Sequence, residues 1–166
     1  MSKTKINLNG KNILVTGSPG FIGANLVLRL LKEMTSGTIV SLDNMNDYYD
    51  PKLKEYRLEL IEKAAENAAV KHVFVKGSIA DKPLIDKLFA EYKFDVVVNL
   101  AAQAGVRYSI DHPDVYIESN IIGFYNILEA CRNNPVEHLV YASSSSVYGG
   151  NKKVPFRTED KVDNPV

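Results

Sequence analysis

Three glycines, Gly17, Gly20 and Gly23, stand in the run Gly17-Ser18-Pro19-Gly20-Phe21-Ile22-Gly23, between an apolar stretch and a helical pattern. Glycines so spaced allow a tight turn, a close approach of main chain to a phosphate, and close packing of a helix on a strand. A helix starting near Phe21 would aim its free amides and the positive end of its dipole at the same anion. Pro19 has no N–H and cannot be one of the donors. Taken alone, the spacing also suits turn glycines that hold nothing. Their place in the order strand, glycines, helix, strand favours a dinucleotide site.

Asp43 closes the next apolar run, near the offset of about twenty residues at which a carboxylate meets the adenosine ribose hydroxyls. A turn-forming aspartate at a strand end is the plainer alternative. A carboxylate there repels a 2′-phosphate, and neither Asn44 nor Met45 supplies a cation to offset it. NAD is therefore expected rather than NADP.

Five runs rich in β-branched residues recur along the chain: Asn12 to Thr16, Thr38 to Leu42, His72 to Val75, Asp95 to Leu100, and His138 to Ala142. Runs apolar on both faces suit the buried strands of a parallel sheet. Between them Ile22, Leu26, Leu30 and Val27, Leu31, Met34 recur at helical spacing, as do Leu84, Ile85, Leu88, Phe89 and Tyr92. Two further helices are expected, from Pro51 to about Glu66 and from about Asp111 to Arg132. Right-handed crossovers turn this alternation into an α/β doubly wound parallel sheet with strand order 3-2-1-4-5. Residues 1–10 read as a tail, 11–148 as the dinucleotide-binding domain, and 149–166 as a loop rich in Lys, Asp, Asn and Pro.

The 166 residues suffice for one domain, and 20 basic side chains cancel 20 acidic ones. No broad positive field exists to hold nucleic acid or a membrane surface, so neither is expected as a partner. No apolar segment approaches the length of a span or a signal peptide, and a soluble, cytoplasmic chain is expected. Cys131, the single cysteine, excludes an internal disulfide and reads as a core residue. His72, His112 and His138 are scattered without ligand companions, so no metal is expected.

Four stretches carry a resemblance: Val15-Thr16-Gly17 through Gly23, Leu42-Asp43-Asn44-Met45-Asn46-Asp47-Tyr48-Tyr49-Asp50, Ala101-Ala102-Gln103-Ala104-Gly105-Val106-Arg107-Tyr108-Ser109, and Ser143-Ser144-Ser145-Ser146-Val147-Tyr148-Gly149. From about Lys11 onward the chain resembles the extended short-chain dehydrogenase/reductases of the NAD-dependent epimerase/dehydratase type, in particular UDP-glucuronate 4-epimerases. The resemblance implies a Rossmann domain that binds NAD, a UDP-sugar substrate, and a homo-oligomer as one option. In such enzymes C4 of the sugar is oxidised by NAD, the keto sugar turns in the pocket, and hydride returns to the other face. Carried over to this sequence, the cofactor would meet Gly17, Gly20, Phe21, Ile22, Gly23, Asp43, Asn44, Ser78, Ile79, Ala101 and Ala102. Ser144 would hold the reacting hydroxyl as a catalytic residue, although a structural serine turn fits the run equally. Arg107, Ser145 and Ser146 would lie near the substrate, with a surface salt bridge the alternative for Arg107. Asn120 matches a position that supports the active site in relatives; a solvated helix asparagine is the plain alternative.

Two departures stand out. Relatives carry Asp where Ser78 stands, and that Asp accepts from the adenine amino group. They also use a Tyr-x-x-x-Lys pair, in which lysine and the nicotinamide charge lower the tyrosine pKa. The expectation is that no tyrosine of this chain is followed four residues later by lysine; the helix carrying the pair is expected beyond Val166, so the fold reads as truncated before it and the chain alone as inactive. The absence of carboxylates at Ser145 and Ser146 disfavours dehydration, which needs an acid for the departing hydroxyl. Three readings remain: part of a UDP-glucuronate 4-epimerase, a non-catalytic NAD-binding module, and a dehydratase or epimerase of another nucleotide sugar.

Overall fold

Lys11–Thr16 forms β1, in which Ile13 and Val15 enter one apolar cluster and Leu14 enters another. Side chains of a strand alternate between faces, so a run apolar on both faces needs cover on both sides. β2, Gly37–Asp43, divides in the same way, with Ile39 on one face and Val40 and Leu42 on the other. The computed structural model describes residues 7–163. With β3 (Lys71–Lys76), β4 (Val96–Asn99) and β5 (His138–Tyr141) these strands form one parallel sheet in the order β3-β2-β1-β4-β5. This is the expected doubly wound order, and its winding reverses between β1 and β4.

Two helices cover each face. α1 (Phe21–Glu33) and α2 (Pro51–Ala65) bring Val27, Leu31 and Ile61 against Ile13 and Val15. α3 (Lys82–Tyr92) and α6 (Phe124–Asn133) bring Phe89, Ile85 and Ile127 against Leu14 and Val97. The starts of α2 and α3 follow from local chemistry: Asp50 accepts from the Lys52 amide at 3.0 Å and Asp81 from the Leu84 amide at 3.1 Å, each with proline in the first turn. Of the two stripes expected on α1, Val27, Leu31 and Met34 are buried, whereas Ile22 is 63% exposed because the helix starts at the rim of the sheet.

The helix expected from Asp111 to Arg132 is not continuous. It starts earlier, as α4 (Tyr108–Asp111), breaks at His112, and resumes as α5 (Pro113–Tyr116), since Pro113 has no N–H to continue the ladder. A π-helical stretch, Ile117–Gly123, then leads into α6. At its end Gly123 packs so close to the loop after β3 that a Cβ there would lie 2.5 Å from Ile79 Cγ1. Strand β4 is likewise shorter than the expected Asp95 to Leu100.

Cys131 is half-buried against the second cluster, and burial pushes its thiol up to about 11. At neutral pH it is therefore a thiol and not a nucleophile. β5 pairs with β4 alone among the described residues. Residues 149–163 carry no helix or strand, and no described helix is long and apolar enough to cross a membrane.

Candidate functional site

Thr16, the last residue of β1, is in register with Leu42 of β2 and Asn99 of β4, so three strands end level. The chain then turns at Gly17, whose φ of 70° suits glycine and whose amide donates to Leu42 O at 2.8 Å. A Cβ on Gly17 would stand 2.8 Å from the Ala101 amide nitrogen, and one on Gly23 would stand 2.3 Å from Gly17 O. Backbone rather than a movable side chain enforces both glycines. The first bond of α1 is Ala24 N–H to Gly20 O at 2.9 Å, and no side chain caps the helix. The amides of residues 21–23 are thus the orphan donors of a helix N-terminus. In the same turn Ser18 is buried, with its Oγ unpartnered among the described residues. Glycines with no room for a Cβ, uncapped amides and an orphaned hydroxyl together fit an anionic group such as a pyrophosphate.

Asp43 is 8% exposed at the end of β2. Its Oδ1 accepts from the Met45 amide at 2.7 Å and from Lys54 Nζ at 3.1 Å. Lys54 also donates to Asn46 Oδ1 at 2.8 Å and lies 5.4 Å from the centre of the Tyr49 ring. The loop after β2 is wrapped around this ammonium, with Met45 at a φ of 56°, where a non-glycine residue is uncommon. Asn44 and Met45 supply no cation, but one arrives from the first turn of α2. A second cation follows one turn later, where Arg57 Nη1 donates to Pro19 O at 3.5 Å and the guanidinium stands 6.0 Å from the Phe21 ring.

At the end of β3 the Gly77 amide donates to Asp43 O at 2.9 Å, which sets Ser78 beside Asp43. Ser78 Oγ accepts from the Ala80 amide at 3.1 Å, and Asn126 of α6 donates to the carbonyls of Ile79 and Ala80 at 3.0 and 3.1 Å. Across β1, Thr16 Oγ1 donates to Asn99 Oδ1 at 2.7 Å and accepts from the Leu100 and Ala101 amides at 3.2 and 3.1 Å. One crevice results, lined by Gly17, Gly20, Asp43, Asn44, Ser78, Ile79, Ala101 and Ala102 together with Lys54, Tyr48 and Gln103. Gly23 lies beneath it, buried against the turn. Phe21 and Ile22 stand outside it, exposed at 72% and 63%.

A family model described as GDP-mannose 4,6 dehydratase matches residues 14–166. The chain belongs to that family. A curated relative in Arabidopsis thaliana, UDP-glucuronate 4-epimerase 4, is 49% identical over 159 residues, which are 95% of this chain and 34% of that protein. Protein CapI of Staphylococcus aureus is 48% identical over 154 residues, or 93% of this chain and 44% of that one. Among solved structures, UDP-glucose-4-epimerase from Stenotrophomonas maltophila, with bound NAD and formylated UDP-arabinopyranose, matches with a TM-score of 0.74 and 29% identity. That match covers 91% of this chain and 42% of the other. The chain therefore spans less than half the length of each.

In this member of the family, two of the resembling stretches meet in space. Tyr48 packs edge-on against Tyr108 with ring centres 4.9 Å apart, and a Cβ on Gly105 would lie 2.1 Å from the Tyr48 hydroxyl. Tyr116 donates from its hydroxyl to the carbonyls of Ala104 (2.8 Å) and Gly105. Burial and the neighbouring Tyr48 raise the Tyr116 pKa above its ordinary value, which preserves it as a donor.

Other expected residues lie apart from the crevice. Arg107 is exposed as the residue that opens α4, with no ion-pair partner among the described residues, so the surface salt bridge weighed for it does not form. Ser144, Ser145 and Ser146 are exposed at the start of a 3-10 turn, Ser145–Tyr148, and Ser144 Oγ donates to Ser146 Oγ at 3.0 Å. The expectation that no tyrosine is followed four residues later by lysine is corrected: Tyr48/Lys52 and Tyr148/Lys152 have that spacing. Neither pair occupies one helix. Tyr48 precedes α2, and Lys152 follows the end of the 3-10 turn. The spacing puts two side chains on a common face only inside a helix, so neither forms the expected pair.

Sequence reasoning missed Thr16, Lys54 and Arg57 as parts of the site. A signal existed for the two cations, because Asp50 and Pro51 set the phase of α2 and residues 54 and 57 share one of its faces.

Proposed function

We propose that this chain is the NAD-binding part of a UDP-sugar 4-epimerase of the UDP-glucuronate type. The observation that carries this reading is the convergence of the glycine turn, with its uncapped amides, and the Asp43 carboxylate on one crevice. The relatives named UDP-glucuronate 4-epimerase and the neighbour solved with NAD support it.

The amides of residues 21–23 receive the pyrophosphate, and Asp43 accepts from the adenosine ribose hydroxyls. Ala101, Ala102 and Gln103, after β4, would let the ribose and nicotinamide half approach the backbone. NAD, when bound, supplies the acceptor and later the donor of hydride at C4 of the sugar. Ser144 holds the reacting hydroxyl, and Arg107, Ser145 and Ser146 face the sugar nucleotide. Since neither Tyr-x-x-x-Lys spacing lies on one helix, the proton-transferring pair is not supplied by these residues, and the chain by itself does not isomerise UDP-glucuronate.

One other reading has support: the matched family model is described as a dehydratase. Against dehydration, Ser145 and Ser146 offer no ionisable group to protonate a departing hydroxyl. Assembly into a homo-oligomer belongs to the same proposal, as do the cofactor and substrate residues.

Calorimetric titration of the chain with NAD and NADP, beside an Asp43→Ala variant, tests the reading. The expected outcome is NAD binding that weakens in the variant. Failure of a folded chain to take up either dinucleotide overturns it.

A further inference from the structure

The dinucleotide reading assigns Asp43 the choice between NAD and NADP, yet that carboxylate is not alone. Lys54 Nζ lies 3.1 Å from Asp43 Oδ1, and the two side chains are 6% and 9% exposed. An ammonium so buried is strongly unfavourable unless anions and acceptors surround it. Here it has Asp43, Asn46 Oδ1 at 2.8 Å and the face of the Tyr49 ring. All four residues line the crevice.

Two consequences follow from this geometry. Met45 and Lys54 both address Oδ1, which leaves Oδ2 as the oxygen without a partner among the described residues. The pair also carries no net charge, so a 2′-phosphate is not excluded by a bare negative site. It is excluded because Asp43 occupies the place of the phosphate and consumes the cation that would bind it. Without the carboxylate charge, Lys54 becomes a buried cation in want of an anion, and a phosphate is a strong partner for such a group.

Resting on the dinucleotide reading above, we propose that Lys54 is a second specificity-determining residue of the site. Paired with Asp43, it positions the carboxylate for the ribose; when that charge is removed, it becomes the receptor for a 2′-phosphate.

The test is a set of titrations of this chain with NAD and with NADP, followed by calorimetry, for Asp43→Asn, Lys54→Met, Lys54→Arg and the double variant Asp43→Asn with Lys54→Met. Circular dichroism melting is run beside each. Lys54→Met is expected to bind NAD about tenfold more weakly, the loss corresponding to one misplaced charged hydrogen bond, with Lys54→Arg restoring most of it. Asp43→Asn is expected to shift the NADP-to-NAD affinity ratio toward NADP by at least about tenfold, through one new charge-assisted contact. The double variant is expected to lose that shift. It removes both charges together and leaves no unpaired buried ion, so the comparison stands even if Lys54→Met alone unfolds.

Equal NADP affinity in Asp43→Asn and the double variant overturns the receptor role. Unchanged NAD affinity in a folded Lys54→Met overturns the positioning role. Both outcomes leave NAD binding by the unmodified chain intact, whereas a folded unmodified chain that binds neither nucleotide sinks the dinucleotide reading and this inference with it.

Discussion

Asn120 and Gln103 are joined reciprocally: the Gln103 amide donates to Asn120 Oδ1 at 2.8 Å, and Asn120 Nδ2 donates to the Gln103 carbonyl at 2.9 Å. The asparagine sits in the π-helical stretch, and such widened turns recur at functional sites. The residue is exposed, yet its side chain is tied to protein and clamps the loop that follows β4. Asn120→Ala leaves both backbone groups of Gln103 without these partners and is expected to lower stability by about 1–3 kcal/mol. Urea denaturation measures the loss, and a variant as stable as the parent would show that the clamp is dispensable.

Gly23→Ala places a methyl carbon 2.3 Å from Gly17 O and 2.8 Å from Ser18 Cα, both backbone atoms that cannot swing aside. We expect a loss of about 1–3 kcal/mol from overpacking, together with loss of NAD binding as the turn is pushed open. Gly150→Ala is the control. Nothing lies within 4 Å of its added carbon, so stability should stay within about 0.5 kcal/mol.

Ser78 stands where the family resemblance implies aspartate, beside Asp43 in the crevice. Its Oγ already accepts from the Ala80 amide at 3.1 Å, a bond that aspartate could also accept. Ser78→Asp is expected to keep the turn and to tighten NAD binding about fivefold, or ~1 kcal/mol, by adding an acceptor for the adenine amino group. An unchanged affinity in calorimetry would place adenine away from this residue.

His72 is half-buried, with Nε2 2.9 Å from Ser41 Oγ, and burial lowers its pKa below the ordinary 6.5. The unfolded chain then takes up the proton first as pH falls. The stability contributed by neutral His72 is present above about pH 6.5 and is lost as pH drops toward the folded pKa. In urea titrations between about pH 7 and 5 the parent should lose stability more steeply than His72→Gln. Parallel curves would mean that the ring titrates alike in both states.

Strand order and both core faces were legible because apolar runs and helical spacing are local signals, repeated often enough to constrain the winding. Helix α2 was legible to within a residue, since Asp50 and Pro51 mark its start. The helix following β4 was misread as continuous. Pro113 was a visible break, but the close approach of Gly123, at the end of the π-helical stretch, to Ile79 joins residues far apart along the chain. The serines were legible as a run, yet their exposure belongs to the tertiary structure, as does the failure of Tyr48/Lys52 and Tyr148/Lys152 to share a helix.

By itself the sequence determined the alternation of strands and helices, the glycine turn and the carboxylate that closes β2. Each of these rests on neighbours along the chain, where sterics and hydrophobic period act directly. Only the tertiary structure decided that Lys54, 11 residues from Asp43, is the cation beside it, and that Asn120, 17 residues from Gln103, grips its backbone. Such contacts depend on how each helix is rotated against the sheet, and that rotation is settled by the packing of the whole core.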